Sequence, residues 1–265
     1  MKRKMLKALI CVALAGVLFA ILWFFFGNPI SYLRAVKTAR THLAETYPGT
    51  DLRIERFNFD FIFGGYVAYV TSPSSIDTHF YLDIDTQGNR VSDTYERDVL
   101  NKSNTTIRLH QAYSALADPV FDDPSLSHFS FRFLSRLEFD CYQGGDDPPP
   151  YVIKSSELVL DKAYDIRELG RQAGHLLVYV DSATVNTALA ASMMLTVKEC
   201  FDRAGVPFAA MSFTLEYPMS AEGQRPEGEV WVRHFLYEDI YEDGMVERVA
   251  QADKALREYY ARRYG

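Results

Sequence analysis

Four ionisable side chains alternate along the segment IDTHFYLDID and form the sharpest candidate site in the sequence. They are Asp77, His79, Asp83 and Asp85, which would share one face of a β-strand. Carboxylates and an imidazole are suitable ligands for a divalent metal ion. Alternate residues on a strand stand about 7 Å apart, so one ion cannot reach all four. We therefore expect a solvated sheet face with these residues as weak metal candidates, and we predict no cofactor.

Two smaller sets of residues could also act. Glu157 and Asp161 are an acid pair of the kind that glycosidases use, although such pairs occur in any acidic protein. Tyrosines in the first half could form a sugar- or peptide-binding surface, because exposed tyrosine is common at interfaces. Ordinary cross-strand packing is the better explanation for them. These tyrosines are Tyr66, Tyr69 and Tyr81.

The sequence lacks the local signatures of several enzyme classes. It contains no His-Glu-x-x-His, Gly-x-Ser-x-Gly, Ser-x-x-Lys or Cys-x-x-Cys segment and no glycine-rich phosphate loop. A serine–histidine–acid site can still assemble from residues far apart in sequence. Motifs therefore leave a dispersed hydrolase site open while excluding the commonest local ones.

The composition describes an acidic chain with ample material for a core. Of its 265 residues 48% are hydrophobic and 14% aromatic, and the net charge is −7. All charges before residue 28 are basic, so the remainder is more acidic still. This balance argues against disorder, against nucleic acid as a partner and against lying flat on an anionic membrane.

The pattern after residue 28 predicts a helix followed by four antiparallel strands. Apolar residues recur at helical spacing over Tyr32–Tyr47, and Phe57–Phe63 then alternates as a strand with one buried face. Gly64-Gly65 makes a turn, and the hairpin YLDIDTQGNRVSD adds two strands. A helix near Val99–Leu116 closes this unit.

Strands and helices alternate in the second half, which predicts a layered α/β sandwich. The segment Asp118–Ser127 is typical of a linker. The run HLLVYVD predicts a strand covered on both faces. The other expected elements are strands Phe129–Cys141, Tyr151–Leu160, Phe208–Tyr217 and Glu229–Leu236, with helices Asp165–Ala173, Val185–Phe201 and one at the C-terminus.

The N-terminal segment Ala8–Gly27 predicts a membrane anchor. It has no charge, is long enough to span a bilayer, and ends in bulky aromatics where a cleavage site needs small residues. Basic residues before it would hold the N-terminus in the cytoplasm. We therefore expect a single-pass cell-membrane protein with its C-terminal domains outside the cell membrane. Its parts would be a cytoplasmic tail (1–7), a transmembrane helix (8–27) and two outer domains (28–118 and 119–265).

Two cysteines would then lie outside the membrane. Cys141 and Cys200 could form a disulfide in an oxidising compartment, or both could stay unpaired. We expect two unpaired thiols, because a domain of this size needs no covalent staple.

Several of these segments resemble known modules. The helix Tyr32–Tyr47, the segment PGTDLRIERF and the hairpin YLDIDTQGNRVSD resemble the cystatin-like or PepSY-like modules found outside bacterial membranes. The whole chain, with its anchor and second α+β unit, resembles the YfjL-like membrane-anchored proteins. Such modules are generally non-catalytic, and PepSY-like ones are linked to protease inhibition or modulation. The resemblance implies an architecture and assigns no site residue.

Two classes of function follow. The first is a non-enzymatic binding or modulatory protein that engages another envelope protein or peptide, because no catalytic signature is present. The alternative is a cell-envelope hydrolase with a dispersed active site in the second domain, where a deep pocket would gather His, Asp or Glu side chains. A metal-binding domain that uses the strand around His79 is a third hypothesis.

Overall fold

A computed structural model describes residues 5, 9–19, 28–127, 130–140 and 149–264. Over these residues the chain is α+β, with two four-stranded sheets, and it divides into two compact units. The first unit comprises Met1–Thr105 with Val159–Asp161, and the second comprises Thr106–Leu158 with Lys162–Gly265. The helices are α1 (Pro29–Thr46), α2 (Ser103–Ala117), α3 (Ile166–Ala173), α4 (Thr187–Ala204) and α5 (Met245–Tyr264). The strands are β1 (Arg53–Asp60), β2 (Gly65–Ser72), β3 (Ser75–Asp85), β4 (Val91–Asp93), β5 (Ser130–Leu137), β6 (Gly174–Asp181), β7 (Ala210–Glu216) and β8 (Glu229–Leu236).

The transmembrane helix expected over residues 8–27 is not supported. Among the described residues, no helix is both long enough and apolar enough to cross a bilayer. Residue 8 and residues 20–27 lie outside the described residues, and the prediction of a spanning helix is wrong.

The first unit is a helix packed on an antiparallel meander. Asn28 begins α1, since its side-chain oxygen accepts the N–H of Ile30 at 2.8 Å, and Pro29 occupies the first turn. The strand order is β1-β2-β3-β4 with every pair antiparallel, as the sequence predicts. One face of α1 packs with one face of the sheet to form the core. Its buried members include Ala35, Ala39, Leu43, Tyr66, Ala68, Val70, Phe80, Leu82 and Ile84.

The second unit has a mixed sheet in the order β5-β6-β7-β8. Strands β6 and β7 are parallel because α4 connects them, and the other pairs are antiparallel. Asn186 caps the N-terminus of α4, because its side-chain oxygen accepts the N–H of Leu189, and Gly205 with φ of +64° caps the C-terminus. Its apolar face contributes Met193, Val197 and Phe201 to the core.

Two segments of this unit differ from expectation. The predicted strand Tyr151–Leu160 contains only a bridge between Ile153 and Phe139 and a 3₁₀ turn at Ser155–Glu157. The expected linker Asp118–Ser127 forms 3₁₀ turns whose apolar side chains are buried in the core. The polar and proline residues of this segment are typical of an exposed linker, but three of its apolar side chains are buried. These are Val120, Phe121 and Leu126.

Strand β6 is not covered on both faces. Leu176, Val178 and Val180 are buried, whereas Leu177 is partly exposed and Tyr179 is exposed. Leu134, opposite Leu177 on β5, is 48% exposed. We call the face that carries Leu134, Leu177 and Tyr179 the open face of the second sheet. Buried and accessible positions therefore alternate along β6, although its sequence is an almost continuous apolar run.

Candidate functional site

The four candidates on β3 do not form one site. Asp77 is only 1% exposed, and its carboxylate accepts the hydroxyl of Thr105 and the main-chain N–H of Asp161, both at 2.9 Å. The neighbouring side chain of Ile76, rather than that of Asp77, faces solvent and is 65% exposed. The pairing with β2 is irregular just before this point, so the alternation of residues 79–85 does not extend to Asp77. The solvated face expected from the sequence is therefore wrong for Asp77, which is a core carboxylate.

The other candidates on β3 have separate roles. His79 is partly exposed with its ring 5.8 Å from that of Tyr69, and Asp83 is exposed. Asp85 accepts the main-chain N–H groups of Gln87 and Asn89 and so orders the turn after β3. Over the described part of the chain, no group of three or more His, Cys, Asp or Glu side chains could hold a metal ion.

The candidate tyrosines mostly pack against neighbouring strands. Tyr66 is buried in the core, and Tyr69 and Tyr81 lie opposite each other with ring centroids 5.2 Å apart. Arg56 covers Tyr69 at 4.6 Å from the ring centroid. These contacts fit cross-strand packing better than a continuous binding platform.

The turn between β1 and β2 displays three consecutive large apolar side chains. Phe61, Ile62 and Phe63 are 46%, 73% and 87% exposed. Asp60 orders this turn, because its carboxylate accepts the main-chain N–H groups of Ile62 at 2.9 Å and Phe63 at 3.1 Å. Gly64 completes it with φ of +67°. We call Phe61–Phe63 the apolar tip.

A cleft of about 1010 Å³ lies beside the apolar tip. Phe63 and the start of β2 line one part, and the end of β3 with the following turn lines another. Three of its lining side chains are carboxylates and one is a guanidinium, so the cleft is acidic. These are Asp60, Asp83, Asp85 and Arg90.

A serine, a histidine and a glutamate meet in the second unit. His175 of β6 is buried, and its Nδ1 contacts Oε1 of Glu138 in a short hydrogen bond. Its Nε2 lies 2.8 Å from Oγ of Ser212 on the adjacent strand β7. Arg136 also binds Glu138, from its Nε at 2.7 Å. Each ring nitrogen of His175 therefore has one partner, an acid on one side and a hydroxyl on the other.

Charge fixes the direction of these hydrogen bonds. Burial opposes ionisation of Glu138, but the hydrogen bond from His175 and the charge of Arg136 hold the pKa of its carboxyl below the usual value. Burial lowers the pKa of His175 in spite of the bond with Glu138. A neutral ring beside a carboxylate must donate from Nδ1, so Nε2 accepts the hydroxyl hydrogen of Ser212.

A second histidine stands against this cluster. The ring of His234 is 4.9 Å from that of His175, and its main-chain N–H donates to Oγ of Ser212 at 3.1 Å. Burial, followed by the neighbouring His175 and Arg233, lowers the pKa of His234 to about 4. The hydroxyl of Tyr151, whose pKa is raised mainly by burial, bonds to Nδ1 of His234. With Tyr151 as donor, the neutral His234 carries its hydrogen on Nε2.

Neither site could be read as a local motif. The alternation of Phe57–Phe63 predicts a strand that reaches Gly64, whereas β1 ends at Asp60 and leaves Phe61–Phe63 in the turn. His175 and Ser212 come from parallel neighbours and Glu138 follows β5, so only the strand register joins them. A polar residue, His175, at the start of an apolar strand is the one signal that points to this cluster.

One of the two cysteines expected outside the membrane lies in the described part of the chain. Cys200 is buried in α4 as a free thiol, and burial raises the pKa of this thiol. Cys141 lies outside the described residues.

These features define a two-unit α+β protein with a Ser–His–Glu cluster on its second sheet. The chain belongs to the YfjL-like family: the N-terminal domain of that family matches residues 2–95, and its C-terminal domain matches residues 123–250. No curated protein and no solved structure matches the chain. The predicted resemblance to YfjL-like proteins is thus confirmed, whereas the resemblance to cystatin-like or PepSY-like modules is not.

Proposed function

We propose that the first unit is a non-enzymatic binding module that engages another protein or a peptide through the apolar tip and its cleft. The exposure of Phe61–Phe63 carries this proposal. Turns favour Gly, Asn and Asp, whereas this turn exposes large apolar side chains, of which Ile62 and Phe63 are the most accessible. Its hydrogen bonds to Asp60 keep them there, so the exposure is built into the hairpin. A run of this kind is explained by a partner that covers it.

Charge supports a peptide segment with basic and apolar side chains. The cleft beside Phe63 presents three carboxylates and one arginine. An anionic lipid surface or a nucleic acid would meet repulsion here. A segment whose apolar residue contacts the tip and whose Lys or Arg enters the cleft satisfies both features.

Selection from random peptides displayed on phage, with the full chain as bait, tests the proposal. We expect enrichment of peptides that combine basic with apolar or aromatic residues. Substitution Phe63→Ser should weaken their binding by at least about tenfold, because burial of a Phe side chain contributes about 2 kcal/mol and 1.4 kcal/mol is a factor of ten.

Ile76→Ser is the matched control, because Ile76 is a comparably exposed apolar residue at the other end of β3 from the cleft. It should leave peptide affinity unchanged. Failure to enrich any peptide, equal loss in both variants, or binding only to lipid vesicles would contradict the proposal. The envelope location of the protein stays a prediction from the sequence. The contact between Ser212 and His175 favours a hydrolytic activity of the second unit as a separate function.

A further inference from the structure

The second unit holds the parts of a serine nucleophile in the required order. Oγ of Ser212 contacts Nε2 of His175, and Nδ1 of the same ring contacts Glu138. A base that removes the hydroxyl proton needs an unprotonated nitrogen within hydrogen-bond reach, and an acid on the opposite nitrogen sets that tautomer. The 2.8 Å contact and the buried Glu138 meet both needs.

We propose that Ser212 is a nucleophile activated by His175, with Glu138 as the positioning residue, and that the second unit hydrolyses esters with an apolar acyl group. This inference concerns the second unit alone and is independent of the apolar tip. His175 and Ser212 lie on the paired strands β6 and β7, and Glu138 directly follows β5, which pairs with β6 on its other side.

The reaction uses only water as a second reactant. The hydroxyl proton of Ser212 moves to Nε2 of His175 while Oγ bonds to the acyl carbon, and the carbonyl electron pair moves to its oxygen. Collapse of this intermediate breaks the bond to the leaving alcohol, which takes the proton from His175. Water then attacks the acyl carbon of the acyl-serine and gives a proton to Nε2 of His175. Collapse of this second intermediate breaks the bond between Oγ and the acyl carbon, and Oγ takes the proton back from His175 as the acid leaves.

The main chain of β8 also contacts the nucleophile. The N–H of His234 donates to Oγ of Ser212 at 3.1 Å, so this oxygen accepts one hydrogen bond while its own hydrogen is directed at Nε2 of His175.

The open face defines the substrate class. Leu177 is the register partner of Ser212, and Leu134 lies opposite Leu177 on the next strand. Residues paired in this way share a face, so an accessible apolar strip runs sideways from Ser212. Ser212 itself is partly exposed, which a substrate requires. An apolar acyl chain can lie on this strip while its carbonyl reaches Oγ.

A fluorophosphonate probe followed by peptide mass mapping tests the nucleophile directly. We expect modification of Ser212 in the folded full chain and in Ser192→Ala, and no modification at this position in Ser212→Ala. Ser192 is the control because it is exposed on α4, where no base contacts it in the described structure. Absence of label on Ser212 in the folded wild type, or equal labelling of Ser192, would overturn the proposal.

Turnover of p-nitrophenyl butyrate separates the three roles. Ser212→Ala should abolish turnover, and Glu138→Gln should lower kcat by at least about 100-fold with KM unchanged, because it removes the acid that sets the tautomer. Leu177→Ala should raise KM instead. Each variant is first checked for the wild-type fluorescence of Trp231. Turnover that persists in Ser212→Ala would refute the mechanism, whatever the folding of the Glu138 variant.

Discussion

Protonation of His234 should couple the stability of the second unit to pH. Its folded-state pKa is about 4, below the ordinary value of 6.5, because burial disfavours the charged ring. The unfolded chain therefore binds a proton at pH values where the folded chain does not. This stabilisation is fully present above about pH 6.5 and is lost as pH falls toward 4.

The difference between the folded and unfolded pKa values of His234 sets how much free energy of unfolding is lost. One pKa unit corresponds to about 1.36 kcal/mol, so a gap of roughly 2.5 units amounts to about 3 kcal/mol in full. Between pH 7 and pH 5, the linkage relation predicts that His234 alone lowers the free energy of unfolding by about 2 kcal/mol. Substitution His234→Asn should remove this part of the pH dependence. Asn suits the site, because His234 has φ of +51° and Asn adopts that conformation readily.

Urea unfolding at pH 7 and pH 5 measures the effect. Trp231, whose ring stacks on Tyr260 at 5.0 Å, reports on the second unit, and Trp23→Phe removes the other tryptophan of the chain. Between pH 7 and pH 5, the free energy of unfolding should fall by about 2 kcal/mol more in the wild type than in His234→Asn. The control His79→Gln, in the first unit, should behave as wild type. Equal pH dependence in wild type and His234→Asn would refute the buried, neutral His234.

Two further substitutions test the packing of each unit by chemical denaturation. Asp77→Ala should destabilise the first unit by about 2–3 kcal/mol, because the hydroxyl of Thr105 loses its buried acceptor, whereas Asp83→Ala on the same strand should change stability by less than about 0.5 kcal/mol. Gly170→Ala should cost the second unit about 2–3 kcal/mol, because a Cβ there would stand 2.6 Å from the oxygen of Pro207. Gly205→Ala, with open space but φ of +64°, should cost only about 1 kcal/mol. Equal effects within either pair would contradict the packing described.

Periodicity predicts the regular elements of this chain well. Helix α1, the meander β1–β4 and the strands β6–β8 follow from spacing because each has one buried face that recurs at a fixed period. Helix ends also follow from local chemistry, as at Asn186 and Gly205 of α4.

Irregular segments depend on contacts that spacing does not encode. Asp77 falls on the pattern of an exposed face, yet a shift in pairing turns it toward Thr105 in the core. The segment Tyr151–Leu160 has the alternation of a strand, yet it forms a single bridge, at Ile153 with Phe139, before a 3₁₀ turn begins at Ser155.

The Ser–His–Glu cluster is the part of the molecule that the sequence predicts least well. Glu138, His175 and Ser212 are 37 residues apart at each step, and only the parallel pairing of β6 with β7 brings the last two into contact. Register over such distances is set by the whole sheet, so no local pattern could identify the set.

The proposed hydrolysis depends on His175 holding an unprotonated Nε2 toward Ser212. Long-range ¹H–¹⁵N NMR correlations of the histidine rings report the tautomer, with His175→Gln used to assign the signals. We expect a neutral His175 at pH 7 with its hydrogen on Nδ1, and a change in the chemical shift of its Nε2 in Ser212→Ala. A ring protonated on Nε2 or on both nitrogens at pH 7 would show that His175 cannot act as the base.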